Sequence, residues 1–166
     1  EAALRRTASV RGDWAREAVS TRTTLLLELA AALERHRDEI AGQVTLEMGK
    51  LAREARAEVD KCAWLCRYYA EQTADFLADR TVPSDASKSL VVREPIGTVM
   101  AIMPWNFPIW QVMRCAVPAV AAGNSVLLKH ASNVMGCARR IERLFLDAGA
   151  PAGLFQAMVI DAEQAA

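Results

Sequence analysis

From Thr98 onward the sequence alternates two kinds of segment. Short apolar runs, TVMAIM (98–103), SVLLK (125–129) and FQAMVI (155–160), are separated by two longer stretches. A continuous apolar run of four to eight residues suits a strand buried on both faces. The first longer stretch starts near Pro108, a residue suited to a first helical turn, and runs to about Ala122, with Gly123-Asn124 as its stop. Pro118 lies inside it and is expected to kink or loosen it. The second, VMGCARRIERLFLDA, closes at Gly149 with Pro151 just beyond. Strand, helix, strand, helix, strand predicts a parallel sheet with right-handed crossovers, hence an α/β fold.

The preceding residues have a different period. From about Thr21 to Met48, Leu26, Leu29, Leu33, Ile40 and Val44 recur at spacings of three, four or seven, as on one face of a helix. Ser20 and Thr21 are candidate caps and Gly49 a candidate stop. A second helix is expected from about Leu51 to Leu77, with Leu51, Ala55, Val59, Cys62, Cys66 and Tyr69 as its stripe. The charges of both helices read as solvated faces. DRTVPSDASKS is a turn-rich connector, and a short strand ending near Glu94 should precede the one at Thr98–Met103.

Composition removes several function classes. Twenty basic residues balance twenty acidic ones, which gives no electrostatic reason to expect nucleic acid or an anionic membrane as partner. No apolar run approaches the roughly 20 residues needed to span a bilayer, and the N-terminus lacks the apolar core of a signal peptide. The chain opens without methionine and ends on DAEQAA, so it is expected to be a piece of something longer. Cys62, Cys66, Cys115 and Cys137 form no disulfide framework, and a reducing cytoplasm fits them. Cys62 and Cys66 share a helical face, but His36 and His130 are far off in sequence. Buried free thiols, with no metal, are the expectation.

In a parallel α/β sheet, ligands bind beyond the carboxyl ends of the strands. Two segments occupy that place, PWN (104–106) and KHAS (129–132). The chain lacks G-x-G-x-x-G, so a nucleotide here would depend on side chains and helix ends. Lys129 and Ser132 could hold ribose hydroxyls or a phosphate, although a lysine at a strand end is more often only solvated. IMPWNFPIW (102–110) is apolar except for Asn106, which could cap the following helix or donate a hydrogen bond in a dry site.

EPIGTVMAIMPWNFPIW, AAGNSVLLKHAS and TLEMGK (45–50), in that separation, resemble the aldehyde dehydrogenase superfamily over nearly the whole chain. LLKHASNV, with His130 where most members carry proline, resembles its bacterial succinate-semialdehyde dehydrogenase branch. The resemblance implies an aldehyde dehydrogenase-like α/β fold. Residues 1–80 would be the N-terminal helical part of the cofactor domain, and 81–97 a connector with bridging strands of an oligomerisation sheet. Residues 98–166 would be the first half of a Rossmann-like dinucleotide-binding domain. The cofactor implied is NADP or NAD. Ile102, Met103, Pro104 and Trp105 would line its nicotinamide side. Lys129 and Ser132 would bind the adenosine ribose, with His130 and Ala131 against it mainly through backbone and packing.

By the same resemblance Asn106 donates its amide to the substrate carbonyl oxygen, as half of an oxyanion hole. Arg114, eight residues on, shares a helical face with Phe107, Trp110 and Gln111 and would read a substrate carboxylate; an internal salt bridge is its other reading. The substrate implied is an aldehyde, succinate semialdehyde first, oxidised through a cysteine thiohemiacetal by a dimer or tetramer of identical subunits. The nucleophilic cysteine, the glutamate base and the pyrophosphate loop match nothing here. These residues cover about the first third of such an enzyme and by themselves should not oxidise aldehydes. The alternatives are an inactive nucleotide-binding or subunit-association module, and an aldehyde dehydrogenase of other specificity.

Overall fold

The computed structural model of the chain describes residues 1–161, 163 and 164. Residues 162, 165 and 166, at the end of the expected dinucleotide-binding part, lie outside the described residues. Four helices come first: α1 (Ala2–Arg16), α2 (Val19–Arg35), α3 (Arg37–Met48) and α4 (Ala52–Leu77). An antiparallel pair follows, β1 (Arg80–Thr81) with β2 (Leu90–Val91). Then come β3 (Thr98–Met103), α5 (Trp110–Ala121), β4 (Ser125–His130), a 3-10 turn at Ser132–Val134, α6 (Met135–Asp147) and β5 (Phe155–Met158). Strands β3, β4 and β5 form one sheet in that order, and it is parallel, as the alternation of periods predicts.

The core lies between the N-terminal helices and this sheet. Leu26, Leu29, Leu33, Ile40 and Val44 are all fully buried, as are Ala55, Val59, Cys62 and Cys66 on α4. They meet Val112, Met113, Ala116 and Val117 of α5, and Val126 and Leu128 of β4, in one continuous cluster. Phe145 of α6 stacks on Phe155 of β5 with ring centroids 4.5 Å apart. Burial of this apolar surface is the main force holding the helical layer to the sheet.

Several sequence-based expectations are corrected. The helix expected over residues 21–48 is two helices, broken at His36, whose backbone departs from helical geometry. The buried stripe steps across the break from Leu33 to Ile40, a spacing of two turns, so periodicity could not reveal it. Ser20 and Thr21 are not caps; they lie inside the first turn of α2, which begins at Val19. Leu51 precedes α4 and is exposed, so the stripe begins at Ala55. The strand before Thr98 ends at Val91, and the last one at Met158. Gly49 does end α3, with a φ of 74° that an L side chain rarely adopts.

Helix α1 has no strong apolar stripe of its own, and tertiary contacts hold it. Trp14 Nε1 donates to the Val120 carbonyl at 3.0 Å, and Thr7 Oγ1 to the Gly153 carbonyl at 3.1 Å. Arg6 Nε donates to Gln156 Oε1 at 2.8 Å. Helix α5 runs through Pro118, and the Ala122 N–H still reaches the Pro118 carbonyl at 3.0 Å.

Candidate functional site

The carboxyl ends of β3 and β4 lie side by side, with Met103 opposite His130. The Ala131 N–H donates to the Met103 carbonyl at 3.1 Å and extends the pairing one step beyond the strands. Two connections leave this edge together. One is the turn from Pro104 to Ile109, leading into α5; the other is Ala131 and the 3-10 turn, leading into α6. Parallel strands place both there because each must cross over before the next can pair.

Around the first connection, Ile102, Pro104, Trp105 and Phe107 are exposed and Met103 is half-buried. Beside them Lys129 and Ala131 are half-buried and Ser132 is exposed. Asn106 is exposed as well, so the dry setting expected for it is not supplied by these residues. The apolar side chains of the turn project outward instead of closing over the amide. Nor does Asn106 cap α5: the N-cap position is Ile109, and the helix starts at Trp110.

A carboxylate takes the cap's place. Glu58 of α4 is buried, and its Oε1 accepts from the N–H groups of Ile109 and Trp110, each at 2.9 Å. Its Oε2 pairs with Lys50 Nζ; the two side chains are 1% and 8% exposed. This corrects the reading of the α4 charges as a wholly solvated face. The pairing neutralises a carboxylate that would otherwise be costly to bury. The carboxylate also sits at the partially positive end of α5. Glu47 serves α6 in the same way: its two oxygens accept from Gly136 N–H at 2.6 Å and Cys137 N–H at 2.8 Å. A side chain at Gly136 would start 2.6 Å from that carboxylate and 2.2 Å from Gln43, so both side chains would have to shift to make room. Sequence reasoning gave neither glutamate a structural role, although TLEMGK placed Glu47 and Lys50 in a motif.

Between α4 and the start of α5 lies a pocket of about 460 Å³. Lys50, Glu54, Ala57, Glu58 and Lys61 line one side, and Phe107, Trp110 and Gln111 the other. Lys50 Nζ lies 3.7 Å from the centroid of Phe107, and Lys61 Nζ 4.1 Å from that of Trp110. Such ammonium–aromatic contacts are favourable and hold the rings in place. Arg114 is exposed one helical turn beyond Trp110. Among the described residues it has no carboxylate within ion-pair distance, so the internal salt bridge considered for it is not formed. Asn106, Phe107, Trp110 and Arg114 thus occupy one turn and the helix that follows it.

None of the four thiols is activated. Burial pushes Cys66 up to about 12 and Cys62 well up. Burial, with Glu47 close by, raises Cys137, and burial raises Cys115. A nucleophilic cysteine needs the opposite shift. Among the described residues no three His, Cys, Asp or Glu side chains are grouped to hold a metal ion, and no helix is long and apolar enough to cross a membrane.

The chain is 50% identical over 150 residues to the "Probable succinate-semialdehyde dehydrogenase [NADP(+)]" of Synechocystis, covering 90% of this chain and 31% of that protein. It is 45% identical over 155 residues to the succinate semialdehyde dehydrogenase [NAD(P)+] Sad of Escherichia coli, covering 93% of this chain and 34% of that one. Among solved structures, succinic semialdehyde dehydrogenase from Streptococcus pyogenes, in complex with NADP+, superposes with a TM-score of 0.94 at 36% identity. That match covers 98% of this chain and 36% of the other. The chain therefore spans about a third of the length of the curated relatives it matches. The sequence profile of the aldehyde dehydrogenase family matches residues 1–166, and with the parallel sheet and helical layer superposing on its members, this chain belongs to that family.

Proposed function

We propose that the chain is the N-terminal part of an NAD(P)-dependent aldehyde dehydrogenase that oxidises succinate semialdehyde to succinate. The observation that carries the substrate is Arg114. An exposed guanidinium with no carboxylate in ion-pair distance among the described residues, one turn beyond the Trp110 wall of a pocket, suits a ligand carboxylate through two parallel hydrogen bonds. Lys61, over Trp110, places a positive charge in the pocket itself. Asn106 stands on the turn between this pocket and the carboxyl ends of β3 and β4, where its amide can donate to an aldehyde oxygen. The nucleophile and the base come from outside these residues, since the four thiols here are held as inert thiols. Relatives sharing about half of these residues carry that activity in their names, which supports the same reading.

Arg114→Leu in a full-length enzyme carrying this chain should lower kcat/KM for succinate semialdehyde at least tenfold, roughly 1.4 kcal/mol or more. Activity on butanal should fall much less, or rise. Equal losses on both aldehydes would show that Arg114 supports the fold and does not read the carboxylate.

The residues at the β3 and β4 ends fit a dinucleotide. Lys129 and Ser132 offer an ammonium and a hydroxyl beside the half-buried Ala131, with Ile102, Met103, Pro104 and Trp105 as an apolar wall alongside. The nicotinamide, when bound, supplies the hydride acceptor. Ser132 brings no negative charge, which leaves Lys129 available to a 2′-phosphate, so the enzyme should turn over with NADP. Ser132→Glu should raise KM for NADP tenfold or more while leaving NAD turnover within about threefold. No measurable rate with NADP in the unmodified enzyme would refute this assignment.

The complete protein is read as a homo-oligomer. The β1–β2 pair, with Val82, Val91 and Val92 exposed, offers a free edge that a second subunit could continue. Four unpaired cysteines suit a reducing cytoplasm.

A further inference from the structure

We propose that His130 is a positioning residue whose buried imidazole holds the turn that presents Asn106; this rests on the oxyanion role proposed for Asn106. The side chain is 1% exposed, at the last residue of β4, and its ring reaches under the turn. Nε2 lies 2.9 Å from the Pro108 carbonyl oxygen. A carbonyl can only accept, so Nε2 carries the proton and donates. Nδ1 accepts from the Ala131 N–H at 2.9 Å. The neutral Nε2–H tautomer satisfies both of these contacts. The Met103 carbonyl, 3.2 Å from Nδ1, shares the same Ala131 N–H at 3.1 Å.

The ring thus bonds one end of a short segment directly, at Pro108, and reaches the other, Met103, through the shared Ala131 N–H. Met103 begins it and Pro108 ends it, and Asn106 lies between. The bonds into α5 bypass Pro108: the Gln111 N–H goes to the Phe107 carbonyl and the Met113 N–H to the Ile109 carbonyl, each at 3.0 Å. The Pro108 carbonyl is held by the imidazole instead. Pro104 has no N–H to anchor the turn, and residues 104–107 are exposed. The fastening therefore comes from beneath, from His130 at one point and from Glu58 at the next two N–H groups. Displacing a hydrogen-bond donor by about 1 Å can cost on the order of 10²-fold in rate. A ring that fixes the turn therefore acts on catalysis without touching the substrate.

The test is a double-mutant cycle in the full-length enzyme with succinate semialdehyde and NADP, alongside NADP affinity measured by fluorescence. His130→Ala should lower kcat about tenfold or more in the unmodified enzyme, with the Kd for NADP within threefold. In an Asn106→Ala background the same change should cost less than about threefold, because the group being positioned is gone. His130→Gln, which keeps a side-chain donor, should restore part of the rate, and it replaces His130→Ala in the cycle if the alanine variant does not fold. Equal losses in both backgrounds would overturn the proposal and leave the oxyanion role of Asn106 standing. So would a weakened NADP affinity with kcat unchanged. A loss below threefold for Asn106→Ala alone would overturn the oxyanion role and this proposal with it.

Discussion

Asn106→Ala in a full-length enzyme carrying this chain should lower kcat by about 10²–10³ while changing the affinity for cofactor little. Removing one donor of an oxyanion hole typically costs about 2.7–4 kcal/mol, because the donor faces charge that develops only in the transition state. The structure removes the simplest competing role. Were Asn106 the cap of α5, its loss would show mainly as lower stability, on the order of 1 kcal/mol. The cap position is Ile109, and the N–H groups there are taken by Glu58. The side chain itself is exposed and free to meet a ligand. Steady-state kinetics with the thermal midpoint measured on the same preparation separate the two roles. A loss of rate below threefold, or a fall in midpoint that accounts for the lost activity, would sink the catalytic assignment.

The largest effect on stability should come from Glu58→Ala. It leaves Lys50 Nζ in a nearly buried position without its counter-charge, and it strips two N–H groups at the start of α5 of their acceptor. Breaking a buried, hydrogen-bonded ion pair by removing one partner typically costs about 3–5 kcal/mol. For a unit of this size that lowers the melting midpoint by on the order of 10 °C. Glu54→Ala, one turn earlier on α4, is the control. Glu54 is exposed, and among the described residues its one ion-pair partner is Arg53, at 3.8 Å, so its removal should change stability by less than about 0.5 kcal/mol. Calorimetry on the three proteins decides it, and similar midpoints for both variants would mean that the buried pair contributes nothing net. Because Glu58 holds the residues just after Asn106, surviving Glu58→Ala protein should also lose activity at temperatures well below its midpoint.

Much of the fold was legible in the sequence because secondary-structure period is a local property. TVMAIM, SVLLK and FQAMVI, spaced by helical stretches, were enough for a parallel sheet; their order, β3, β4, β5, came from the structure. The stripe from Leu26 to Val44 marked residues that are all fully buried. The motifs around Asn106 and Lys129 could likewise be placed, since strand ends in a parallel sheet are where ligand-facing residues must lie.

What the tertiary structure alone decided depends on partners far apart in the chain. Glu58 stands 51 residues before the N–H it caps, and Glu47 stands 89 before its own. On a helical wheel both look like any solvated acid. The break at His36 hides because the apolar stripe continues across it, and α1 is recognisable only once Trp14 and Thr7 find carbonyls 106 and 146 residues away. His130 is the sharpest case. In sequence it marks a branch of the family and the end of a strand, with no sign of its hydrogen-bond partners. Only when β4 pairs beside β3 does its ring come to lie under the turn that the other strand sends out, where its two nitrogens find a carbonyl and an N–H. A pattern of side chains along a chain records which surface each element buries. It does not record which donor will face which acceptor, because that depends on how the elements approach one another.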